Sequence, residues 1–142
     1  MENKLKHLEM IQGVVGRMAS NSFALKGWAV TLVAGIFVLA QTDTEKLYFI
    51  VAYIPIIAFW LLDAYYLRLE RLYRALYNKA RALPEDEIDF SMDVQNGVFT
   101  DKGCKYCNCV FSPTELWFYI PLAIVTTAII ILHTSRLLWP CS

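Results

Sequence analysis

Lys26 and Asp63 are charges set at the inner edges of two apolar runs, 23–40 and 47–62, and their spacing points to a pair. If the two runs are antiparallel helices joined by the loop 41–46, Lys26 lies about 17 residues before the loop centre and Asp63 about 19 after it. At 1.5 Å per residue the two depths then differ by only about 3 Å. A lone charge at the centre of a membrane helix costs roughly 2.5–3.5 kcal/mol, and less near the edge. Pairing at matched depth offsets much of that cost, so the expected role is a structural ion pair.

Other polar residues offer weaker chemistry. Arg17 and Asn21 stand at the entrance to the first apolar run, beside Ser20 and Ser22. Ser20 or Asn21 would cap a helix there; alternatively, Arg17 and Asn21 face a vestibule and meet a ligand or ion. Arg68, Arg71 and Arg74 suit an anionic signal or a partner, although a solvated helix face or lipid headgroup contact explains them as well. The stretch "GCKYCNC" holds Cys104, Cys107 and Cys109. A tetrahedral zinc site wants four ligands. No His lies nearby, His7 is remote, and Cys141 falls beyond the third apolar run, so no metal is expected and the three cysteines remain weak candidates. A reduced loop is the expected state. No Ser/His/Asp grouping, phosphate-cradling glycine loop or H-E-x-x-H sequence is present. His133 stands alone, and the acids of "LPEDEIDFSMD" read as a solvated loop. Neither enzyme activity nor a cofactor is expected.

The elements that position these residues are apolar. Hydrophobic residues make up 57% of the 142 and charged residues 18%, against about 45–50% and 25% in globular domains. That excess marks an integral membrane protein. The formal net charge of +0 argues against binding a nucleic-acid duplex through bulk charge. Runs 23–40, 47–62 and 116–132 approach the roughly 20 residues that cross a bilayer. Trp28, Trp60, Tyr65, Tyr66, Trp117 and Tyr119 lie near their ends, as interfacial aromatics do. A signal peptide is the rival interpretation of the first run, but its preceding segment is long and structured. Lys4, Lys6, Arg17 and Lys26 before the first run, and Arg68, Arg71, Arg74, Lys79 and Arg81 after the second, place the N-terminus and residues 64–115 in the cytoplasm and the C-terminus outside.

Leu5, Leu8, Ile11, Val15 and Met18 recur at helical spacing, so residues 1–22 form an amphipathic helix. It either lies on the membrane or packs against the protein's own cytoplasmic part or a neighbouring subunit. Leu69, Leu72, Tyr73, Leu76, Tyr77 and Ala80 extend the second helix into a stalk ending before Pro84, which makes 23–83 a transmembrane hairpin with a stalk. Residues 84–115 form a cytoplasmic insert, in which alternating Ile88, Phe90, Met92 and Val94 before Asn96-Gly97 allow a β-hairpin. Residues 116–142 supply the third span and an external tail. The expected fold is thus an all-α membrane protein with three transmembrane helices. Gly27, Thr31 and Gly35 form a small-residue stripe for close helix packing, within one subunit or between copies. Pro55 removes the bond to the Val51 carbonyl, so a kink is expected there. Thr126 and Thr127 either line water or bond back to their own helix.

The stretches "RMASNSFALKGWAVTLVA", "FWLLDAYYLRLERLYRALY" and "IDFSMD" resemble small bacterial membrane effectors of anti-phage defence systems, Hailong-type effectors among them. The resemblance covers roughly residues 3–93. It implies a homo-oligomeric ion channel of the bacterial inner membrane; a tetramer is one such assembly. Such a channel is silent until infection and then depolarises the membrane. It also implies a nucleotidyltransferase partner or an anionic nucleotide trigger. The alternatives are a membrane anchor recruiting a soluble partner through the stalk, and a regulatory subunit of a transporter.

Overall fold

The computed structural model describes residues 2–40, 50–94 and 105–138. Its main helices are α1 (Glu2–Ala40), α2 (Tyr53–Ala82), a short α3 (Tyr106–Val110) and α4 (Pro113–Leu138). The loop 41–46, Asn96-Gly97, Cys104 and Cys141 lie outside the described residues.

Residues 2–40 contain no proline, and α1 runs unbroken for 39 residues, about 58 Å at 1.5 Å per residue. The expected cap at Ser20 or Asn21 does not divide it. Ser22 instead turns its hydroxyl across to Asp63 on α2. α2 packs along α1 and buries two separate apolar clusters. At one end Ile11 meets Leu72, Leu76 and Ala80, with Leu8, Val15, Tyr73 and Tyr77 around them. At the other, Ala29 and Val33 meet Ile56 and Tyr119 of α4, flanked by Phe37, Phe59 and Trp60. Of the two placements open for the amphipathic segment, it takes the one against its own stalk. Lys4 fixes this end by donating to the carbonyls of Arg81 and Leu83, at 3.1 and 2.6 Å, where α2 terminates.

The expectation of three transmembrane helices is corrected. Among the described residues two helices, within Glu2–Leu39 and Pro113–Ser135, are long and apolar enough to cross a membrane by length and composition. α2 begins at Tyr53, and its first 18 residues already hold Asp63, Arg68 and Glu70, too many charges for such a span. The apolar end of α2 nevertheless leaves Ile54, Ile57, Leu61 and Leu62 exposed beside exposed Val30 and Leu32 of α1 and Ile124 and Ile131 of α4. One end of the bundle is therefore apolar on its outside.

The β-hairpin is corrected as well, since no strand occurs among the described residues. After a 3-10 turn at Glu85–Glu87, residues 88–94 run along the stalk and bury Ile88 and Val94. Local bonds compete with a ladder there: Ser91 N–H donates to Asp89 Oδ1 at 3.1 Å and Asp93 N–H to Ser91 Oγ at 3.2 Å. Phe90 stays exposed and meets the His7 ring edge-on at 5.4 Å. The backbone ladder is interrupted at Ala52, next to the Val51 carbonyl that Pro55 cannot bond.

Candidate functional site

Between the two apolar clusters lies a polar one. Ser22 and Lys26 sit one turn apart on α1, Asp63 faces them from α2, and Glu115 and Tyr119 sit one turn apart on α4. The Ser112 carbonyl accepts from the Glu115 and Leu116 N–H groups at 3.0 Å, and Pro113 occupies the first helical position, where its missing N–H costs nothing. That start places Glu115 in the first turn of α4, where the helix dipole favours an acid.

Asp63 is fully buried and well supplied with donors. Ser22 donates to its Oδ1, while Lys26 Nζ and the Tyr119 hydroxyl, the latter at 3.2 Å, donate to Oδ2. Lys26 Nζ also donates to Ser22 Oγ at 3.1 Å and to Glu115 Oε1 at 3.5 Å. All three ammonium protons are thus committed. The ammonium lies 5.8 and 6.0 Å from the ring centres of Phe118 and Tyr119, and Trp60 stacks on Tyr119 with 6.1 Å between centres. Glu115 is treated differently: it is fully buried, yet its Oε2 has no hydrogen-bond partner. The site therefore sets two carboxyl groups against one ammonium in a setting that excludes most water.

Of the other residues singled out by sequence, few join this site. Gly27, Thr31 and Gly35 lie on the outward face of α1, and a Cβ at either glycine would meet no atom within 4 Å. Thr31 bonds back to the Gly27 carbonyl at 2.9 Å. The stripe packs against no other element among the described residues. Arg17 and Asn21 are exposed on α1, outside the cluster, and Arg68 is exposed on α2. Arg68, Arg71 and Arg74 do not converge on one site. Arg74 pairs with Glu70 at 2.8 Å. Arg71 turns inward, donating to Ser112 Oγ at 2.9 Å and to Cys109 Sγ at 3.7 Å. Cys107 is exposed and Cys109 buried, and no group of three His, Cys, Asp or Glu suited to a metal occurs among the described residues. Thr126 and Thr127 bond back to the carbonyls of Leu122 and Ala123, and Thr127 also meets the Tyr53 hydroxyl at 2.7 Å.

Sequence reasoning missed Glu115 and Tyr119. The signal was present: Glu115 stands at the entrance of the third apolar run, as Lys26 and Asp63 stand at the edges of the first two. No protein-family model, curated protein or solved structure matches the chain.

Proposed function

We propose that the chain is an oligomeric membrane protein that forms or gates an ion-conducting path and depolarises the bacterial inner membrane when triggered. The observation that carries this reading is the buried Lys26–Asp63–Glu115 cluster at the edge of an apolar helix bundle. Ionisable groups within membrane-spanning segments are costly and by default suggest an ion pathway or proton relay. The outward-facing Gly27, Thr31 and Gly35 supply a surface on which copies approach closely, which a chain of so few helices needs to enclose a path.

The charge-rich end, with Lys4, Lys6, Arg74, Lys79 and Arg81, is assigned to the cytoplasm by the positive-inside rule. A nucleotide signal or partner protein would act there. The defence role rests on the resemblance of stretches within residues 3–93. The test is membrane potential in cells expressing the protein with its genomic partner, before and after phage challenge. Depolarisation on challenge, lost in Glu115→Gln, is expected. A membrane that stays polarised, with purified protein running as a monomer, would replace conduction by a passive anchor.

A further inference from the structure

We propose that Glu115 holds an exchangeable proton beside the Lys26–Asp63 pair, which makes the cluster a proton-binding site. The charges and the hydrogen bonds of the cluster require this proton whether or not the protein conducts ions. With every group ionised the site carries one ammonium and two carboxylates, a surplus negative charge. Breaking the balance of a buried ion pair is costly, because the remaining charge is left uncompensated. The groups facing the site are Ser22 and Lys26 from α1, Asp63 from α2, and Glu115 and Tyr119 from α4. Lys26 is the sole cation among them, and its protons are already committed.

The hydrogen bonds place the surplus on Glu115. Asp63 accepts from Ser22, Lys26 and Tyr119. Glu115 receives one long contact at 3.5 Å through Oε1, while its Oε2 is buried without a partner. A bare ionised oxygen in that position would lack both a donor and water. A proton on the Glu115 carboxyl removes the surplus charge and leaves Lys26 and Asp63 as a matched pair. Exchange with solvent has a route, since the Lys26 side chain keeps 17% of its surface exposed while Asp63 has none.

Infrared difference spectroscopy on the full chain in lipid nanodiscs tests this. At neutral pH water-exposed carboxyl groups are ionised. Wild-type protein should still show one protonated-carboxyl band, shifted in deuterium oxide. Glu115→Gln should lose it. Asp63→Asn should lose it too, because the remaining acid then balances Lys26 and ionises. Wild-type protein lacking the band at neutral pH overturns the proposal, and needs no variant to be folded. A band that survives Asp63→Asn overturns the charge balance that places the proton on Glu115. A band that disappears when choline is replaced by sodium assigns the site to a metal cation and overturns it equally.

Discussion

Arg71, on the charge-rich part of α2, donates to the hydroxyl of Ser112, the residue whose carbonyl begins α4. One turn along α4 stands Glu115, which Lys26 reaches from α1. The stalk is thus hydrogen-bonded to the first turn of the helix that carries Glu115.

Removing that tie should loosen α4 without touching the cluster. Arg71→Ala and Ser112→Ala should each lower stability by about 1–3 kcal/mol, the cost of a lost bond to a charged group. The double variant should fall short of the sum of the singles if the two act together. Melting in detergent measures this, and Arg71→Lys should restore little, because an ammonium cannot reproduce the guanidinium fork.

Lys26→Ala should cost about 3–5 kcal/mol, as breaking a buried pair does. Asp63→Asn should cost less, because Lys26 keeps Glu115 as a partner. Exchanging the charges, Lys26→Asp with Asp63→Lys, should recover part of the loss. A swap as damaging as the summed singles would show that the two side chains do not interact energetically.

The apolar cluster at the stalk end is a separate unit of packing. Leu76→Ala should destabilise it by about 2–5 kcal/mol and free the first half of α1, since Ile11 packs there. Limited proteolysis would detect the change as faster cleavage within residues 2–20. Cleavage at the wild-type rate would mean that this half of α1 is held elsewhere.

Gly35→Leu distinguishes an interface from a lipid-facing surface. A side chain at Gly35 meets nothing within the chain, so melting of the monomeric unit should not change. Cross-linked species in native membranes should decrease at least several-fold if copies meet along Gly27, Thr31 and Gly35. An unchanged ladder would leave that stripe facing lipid.

The helical course of the chain was legible because its apolar residues repeat at helical spacing, from Leu5 through Val15 and again from Leu69 to Ala80. Lys26 and Asp63 were legible together because both interrupt apolar runs at matched depth. Glu115 escaped because depth matching was argued only between the first two apolar runs, although it marks the edge of the third as Lys26 and Asp63 mark theirs. The alternation at 88–94 suggested a strand, but Asp89 and Ser91 spend their side chains on neighbouring N–H groups, and the backbone turns instead. The span count failed at α2, where Asp63, Arg68 and Glu70 follow too soon after Tyr53.

The central claim is ion movement controlled by the buried cluster. It is tested most directly by the decay of an imposed potassium diffusion potential in liposomes containing the purified full chain, with and without a nucleotide extract from challenged cells. The account predicts a decay faster than in empty vesicles, enhanced by the extract and strongly reduced in Glu115→Gln. A decay equal to that of empty vesicles under every condition, from protein shown to be inserted and folded, would contradict it.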